Sequence, residues 1–128
     1  MRTRGEAEAD VSRAVVRFEK EYLGRGPLET KTYIIDDLVL VRLRKVLTQA
    51  EIKLAQSADP GRGRDLIKQL RQELIERGRD MLETEVREIV GVGVRSLHTD
   101  ISTVTGERVI VFTLEETPKF RGEPGGPG

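Results

Sequence analysis

The chain carries a single histidine, and its neighbours make it the first place to look for chemistry. In Ser96-Leu97-His98-Thr99-Asp100-Ile101-Ser102 a strand's two-residue side-chain period puts His98, Asp100 and Ser102 on one face. Leu97, Thr99 and Ile101 fall on the other. A carboxylate can orient an imidazole as a general base. Same-face neighbours on one strand stand about 6–7 Å apart, so a His98–Asp100 pair would need particular rotamers. A nucleophile is also wanted, and Ser96 and Ser102 both lie outside any G-x-S-x-G turn. We therefore read the row as a surface for recognition, with a small enzyme built on His98 and Asp100 as the weakest of three readings.

Metal chemistry has little to work with. One histidine and no cysteine leave carboxylates such as Asp36, Asp37 and Asp100, which fall on separate hairpins and could at most hold a hard cation. Asp36-Asp37 reads better as a turn pair. No metal and no cofactor is expected. Two arginine-glycine loops, Gly24-Arg25-Gly26-Pro27 and Gly61-Arg62-Gly63-Arg64, look like fragments of phosphate-binding loops. Neither has the Lys-Ser/Thr ending of a P-loop or the full strand-glycine-helix context, although the second precedes a helix whose N-terminus favours anions. A regulator that binds a small ligand or nucleotide is thus the second reading. Arg25, flanked by glycines, joins Asp36, Asp37, His98, Asp100 and Ser102 as the candidate recognition residues.

The elements that must position these residues follow from periodicity. Val11, Ala14, Val15, Phe18 and Tyr22 recur at helical spacing and predict a helix over Ala9 to Leu23, closed by Gly24. Thr30 to Ile35 and Leu38 to Arg44 predict a hairpin turning at Asp36-Asp37. Thr48 and Glu51 have the spacing of a capping box and start a short helix that ends near Ser57. Ala58-Asp59-Pro60-Gly61-Arg62-Gly63 reads as a loop. A long helix then runs from about Arg64 to Ile89, with Ile67, Leu70, Leu74, Met81, Leu82, Val86 and Ile89 expected on its core side and Gly78 as a point of close packing. Arg62, Arg64, Lys68, Arg71, Arg77 and Arg79 alternate with acids and read as a solvated face. A second hairpin joins a strand ending at Ser102 to one over Glu107 to Leu114, through Thr105-Gly106. The pattern E-x-x-G-x-G occurs at Glu21 to Gly26 and again at Glu88 to Gly93, either a remnant of duplication or two helix ends that chose glycine independently.

The order α-β-β-α-α-β-β predicts an α+β fold: a two-layer domain whose four-stranded, mostly antiparallel sheet is built from two hairpins, with helices on one face. Residues 1–116 form that single domain, and the Gly/Pro-rich residues 117–128 are expected as a disordered tail. Lys+Arg and Asp+Glu balance at 22 each, against the surplus positive charge of a nucleic-acid binder. Three Phe, two Tyr and no Trp also offer little for base stacking, so nucleic acid is not expected as a partner. No apolar run reaches the roughly 20 residues of a membrane span, and Met1-Arg2-Thr3-Arg4-Gly5-Glu6 does not read as a secretory signal. The absence of cysteine fits a cytoplasmic chain.

Taken together, Gly24 to Pro27, the hairpin Thr30 to Leu43, the cap Leu47-Thr48-Gln49-Ala50-Glu51, the block Leu97 to Ser102 and Thr105-Gly106-Glu107-Arg108 resemble the bacterial MpsC family. That family is named for a Na+-translocating membrane-potential-generating system and was formerly a domain of unknown function. The resemblance spans about Val11 to Glu116 and departs from the family pattern at Gln49, where proline is expected, and in a longer Pro60 to Gly63 loop. It implies a non-enzymatic accessory or regulatory subunit of a membrane ion- or bicarbonate-transport system, working at the inner face of the membrane. It brings no catalytic residues. Apolar residues on both sides of Leu38 to Leu43 and Val109 to Leu114 leave the second sheet face incompletely polar, so a homodimer is also expected, with a membrane transport protein as the further partner.

Overall fold

The protein is described by a computed structural model over residues 1–126; the end of the expected tail, residues 127–128, lies outside the described residues. Helix α1 (Arg4–Leu23) starts earlier than its apolar stripe alone indicates, because Thr3 and Glu6 form a capping box. The Thr3 hydroxyl accepts from the Glu6 N–H, and the Glu6 carboxylate accepts from the Thr3 N–H, at 3.2 and 2.9 Å. Strands β1 (Glu29–Ile35) and β2 (Leu38–Arg44) form the first hairpin. Its first turn residue, Asp36, takes φ +52°, the left-handed value that a tight hairpin turn requires there. Helix α2 (Gln49–Ala55) carries the expected Thr48–Glu51 box.

Helix α3 (Pro60–Val90) corrects the sequence reading at both its start and its face. The Pro/Gly stretch expected as a loop is its first turn: Asp59 caps Arg62, and Pro60 stands where a missing N–H costs nothing. Gly63 lets α2 approach closely, since a β-carbon there would collide with the Leu54 carbonyl. The buried line is Ile67, Arg71, Ile75, Gly78, Leu82, Val86 and Val90. Leu70 and Met81, expected inside, are 48% and 42% exposed, and Leu74 is half-buried. Ile67, Leu82 and Val86 stand as expected, and Gly78 is the expected contact, because any side chain there would strike the Phe18 ring of α1. Gly24 and Gly91 both close their helices in the left-handed conformation, which is the physical content of the repeated E-x-x-G-x-G pattern.

Strands β3 (Val94–Ile101) and β4 (Arg108–Leu114) complete an antiparallel sheet of order β1-β2-β4-β3. The hairpins meet where Val41 faces Ile110 and Val39 faces Phe112. Ile34, Val39, Val41, Leu43, Ile110, Phe112 and Leu114 are buried together with the apolar sides of α1 and α3. This is the α+β fold expected from the element order. Beyond Glu116 the described residues form neither helix nor strand. Phe120 is nonetheless buried, with the Arg4 guanidinium 5.0 Å above its ring and Glu123 paired to Arg4.

Among the described residues the core also contains four charges. Arg71, expected on a solvated face, is buried, as are Glu19 of α1, Glu51 of α2 and Arg108 of β4. Arg71 grips Glu51 with two hydrogen bonds, Nε to Oε2 at 2.9 Å and Nη2 to Oε1 at 2.7 Å. Its third nitrogen, Nη1, donates to Glu19 at 3.1 Å, and Nη2 also reaches the Val46 carbonyl at 2.9 Å. Arg108 donates to the other Glu19 oxygen at 3.0 Å and to the Thr99 hydroxyl of β3 at 3.1 Å. Two cations and two anions close on each other without net charge. Burial alone would push the Glu51 carboxyl up, but the hydrogen bonds from Arg71 and Thr48 outweigh it and hold the group below its ordinary value. Burial also lowers the Arg108 pKa, and Glu19 opposes that shift.

Removing one member strands the others in a dry core. Arg71→Met should cost about 3–5 kcal/mol, the range for breaking one side of a buried ion pair, as read by urea unfolding at neutral pH. Because the folded Glu51 pKa is depressed, its contribution is present above its unfolded pKa and fades as pH falls through the lower folded value. Wild-type stability should therefore drop more steeply below about pH 4.3 than that of Glu51→Gln. Parallel curves, or an Arg71→Met loss under about 1 kcal/mol, would contradict the network's role.

Candidate functional site

The structure separates the candidate recognition residues into three places. Asp36 and Asp37 form the exposed β1–β2 turn, where the Asp37 carbonyl accepts from the Leu114 N–H at 2.8 Å. His98 lies in the middle of β3 on the sheet's outer face, opposite Val111. Its nearest polar partner is Ser96, with Oγ 3.0 Å from Nε2, and Ser96 in turn bonds Thr113. No bond joins it to Asp100. The imidazole is therefore not set up as a carboxylate-backed base; Asp100 is instead held by Lys68 of α3 at 2.9 Å. That bond, followed by the Ile101 N–H, lowers the Asp100 pKa.

Arg25, Asp100 and Ser102 flank one turn at the opposite end of the sheet from Asp36 and Asp37, Arg25 on one side of it and Asp100 and Ser102 on the other. That turn is the β3–β4 turn, Thr103 to Gly106. Ser102 builds that turn: its hydroxyl accepts from the Thr105 N–H, and its N–H bonds the Glu107 carbonyl at 2.8 Å. Gly106 supplies the left-handed φ of +74° that reverses the chain. At the tip, Val104 is 94% exposed, an unusual place for a branched apolar side chain.

A cleft lies on each side of this tip. One, of about 400 Å³, is lined by Arg25, Lys45, Leu47, Ile52, Gln56 and the turn itself. The other, of about 370 Å³, is lined by Arg64, Lys68, Asp100, Ser102 and Glu107. The first cleft has a stiff wall. Arg25 donates to the carbonyls of Leu47 and Lys45 at 3.0 and 3.3 Å, and the Val46 N–H bonds the Gly106 carbonyl at 3.0 Å. Lys45 is held at φ +53°, a conformation that side-chain-bearing residues adopt at a cost. Arg71 takes the Val46 carbonyl from inside. The segment Lys45 to Leu47 is thus fixed from three directions, and the buried network sets the shape of the cleft.

Sequence reasoning does not pick out Lys45, Val104 or the buried four as site-determining. Val104 has one available signal, an apolar residue in a polar turn. Arg71 and Glu19 have none, since charged residues at helical spacing read as solvent-facing. Among the described residues, no group of three or more His, Cys, Asp or Glu is placed to hold a metal ion.

These placements predict how stability responds to substitution. His98→Ala and Asp100→Ala should stay within about 0.5 kcal/mol of the parent, as exposed positions do. Arg25→Ala should cost about 1 kcal/mol, because two carbonyls lose a donor. Denaturant midpoints measured side by side check this; a loss above about 2 kcal/mol at His98 would make that residue structural.

The sequence has a clear relative. It is 42% identical over 113 residues to the uncharacterized protein YbcI of Bacillus subtilis (strain 168), covering 88% of this chain and 89% of that one. No solved structure is a significant match. A family model described as Na+-translocating membrane potential-generating system (MpsC) matches residues 3–116, which takes in both hairpins, all three helices and the β3–β4 turn. The chain belongs to the MpsC family.

Proposed function

We propose that this protein is a non-enzymatic accessory or regulatory subunit of a membrane ion- or bicarbonate-transport system, and that it meets its partner through the β3–β4 turn. The family description ties the chain to a Na+ membrane-potential system. No helix of the described residues is long and apolar enough to cross a membrane, so in this reading the ion path belongs to partner chains. The protein works from the cytoplasmic side, peripheral to the membrane.

The observation that carries the reading is the exposed Val104 tip between two clefts whose rims bear Arg25, Lys45, Arg64 and Lys68. Arg64 and Lys68 are accompanied by Asp100, which Lys68 binds, and by Glu107, so it is the Arg25 and Lys45 side of the apolar tip that is suited to an acidic, partly apolar loop of a partner. The single histidine, by contrast, is engaged with Ser96 rather than with a carboxylate. A second reading rests on the larger cleft, whose volume falls within the range of small-molecule sites. Leu47, Ile52 and Ala55 would there take the apolar part of a ligand, while Arg25 and Lys45 would take an anionic group.

Affinity purification of the tagged protein from membranes of its own organism separates these readings. An integral ion-transport protein should co-purify with the wild type. Its yield should fall at least about tenfold, the effect of roughly 1.4 kcal/mol of contact energy, with Val104→Glu. That variant should melt like the parent. Equal capture by both forms, or no transport protein at all, would contradict the proposal; a rise in melting temperature with an anionic metabolite and no membrane partner would favour the second reading.

A further inference from the structure

The cleft on the Arg25 side of the β3–β4 turn differs in charge from three further clefts on the surface. Its walls carry Arg25 and Lys45 and no carboxylate. The cleft across the turn sets Asp100 and Glu107 beside Arg64 and Lys68, and two clefts along α3 hold three carboxylates each. Arg25 and Lys45 also make no ion pair among the described residues. Arg25 gives one N–H from each terminal nitrogen to the Leu47 and Lys45 carbonyls, which leaves N–H groups to spare. Two positive charges on a stiff wall therefore face a cleft that contains nothing to neutralise them.

The rest of the lining decides what kind of anion fits. Leu47, Ile52, Ala55 and Val104 are all aliphatic, and no aromatic side chain lines the cleft, so a nucleobase would find nothing to stack on. Helix α2 meets the cleft with its last turn, at Ala55 and Gln56. A phosphate chain would thus lack the free N–H groups that a first helical turn offers. What remains is room for one compact negative head and an apolar body beside it.

We infer that this cleft binds a small aliphatic anion. Its carboxylate or phosphate head lies between Lys45 and Arg25, and its chain lies on Leu47, Ile52 and Ala55. The inference deepens the second reading of the cleft given above and rests on it. About 400 Å³ is the size of a site for one small molecule. That molecule takes the same charges and the same apolar wall that an acidic partner loop needs. The two occupants exclude each other, so the ligand regulates docking: the loaded protein releases its partner.

Amide chemical shifts of the purified full chain, titrated with octanoate, octyl phosphate, acetate, octanol and AMP, test this. At least one octyl anion should move the Leu47, Val104 and Gly106 amides and saturate with a Kd under about 1 mM; the two octyl anions tell a carboxylate head from a phosphate. Acetate, octanol and AMP should each bind at least about tenfold more weakly. Lys45→Asn removes the charge but keeps a residue that tolerates the left-handed backbone, and should weaken the octyl anion at least about tenfold. Gln56→Glu, at an exposed position, brings a carboxylate to the wall without disturbing the core and should do the same. Arg77→Ala, exposed on α3, should change nothing. Neither octyl anion saturating, or binding that both cleft variants leave intact, would overturn the inference. So would shifts centred on Tyr33, Leu40 and Val111 of the outer sheet face. AMP binding as tightly as the octyl anions would overturn it and leave the second reading standing, whereas no anion binding at all would remove both. A saturating octyl anion should also cut capture of the membrane partner at least about tenfold. Undiminished capture would overturn the exclusion, and failed capture without any ligand counts against the docking reading alone.

Discussion

Four buried charges hold this small domain in register. Glu19, Glu51, Arg71 and Arg108 come from α1, α2, α3 and β4, and their hydrogen bonds also reach the Val46 carbonyl and Thr99 of β3. Hydrophobic burial supplies most of the driving force for such a fold, but it has no direction. Charged hydrogen bonds do, and a guanidinium that must satisfy three partners at once tolerates only one arrangement of the elements that carry them. Taking these groups out of water is costly, and the pairing recovers that cost only when every partner is present. The network therefore specifies geometry more than it adds stability.

What it specifies is the end of the molecule where the candidate surface lies. Arg71 draws in the Val46 carbonyl from the core side, Arg25 holds the carbonyls on either side of it from outside, and Gly106 closes the gap to the β3–β4 turn. Arg108 anchors the first residue of β4, just beyond the same turn, to Glu19. Val104 is thus an exposed tip on a rigid mount, and the clefts beside it have fixed walls. A preformed surface loses less entropy on binding than a mobile loop would, which suits a chain whose proposed work is to dock.

The fold is legible in the sequence because its signals are local. The Asp36-Asp37 turn, the Thr48–Glu51 box and the alternating strands each act within a few residues, and the element order then leaves few sheet arrangements. The differences between expectation and structure are local as well. The Thr3–Glu6 capping box is followed only by the small Ala7 before the stripe resumes at Val11, so the larger apolar residues alone start α1 too late. Asp59-Pro60 is an N-cap followed by proline at the first helical position, and the glycines after it disguise that start as a loop. Arg71 is illegible for a different reason. In the sequence it is one more arginine between Leu70 and Gln72; only the tertiary placement of Glu19 and Glu51 turns its side chain inward, and that lets Leu70 face solvent. Of the residues that stand out by type and spacing, Arg25 lies on one side of the β3–β4 turn and Asp100 and Ser102 on the other, while His98, Asp36 and Asp37 lie elsewhere.

Glu19 links the helical layer to the sheet through both arginines at once, and the positioning of the site depends on that link. A double-mutant cycle on Glu19→Gln and Arg108→Gln, followed by urea unfolding at neutral pH, measures it without the other contacts of either residue. The expected coupling energy is above about 1 kcal/mol, within the range for residues sharing one buried network. Effects that simply add, to within about 0.3–0.5 kcal/mol, would mean that the two groups are buried side by side without depending on each other, and that something other than this network positions the β3–β4 turn and its clefts.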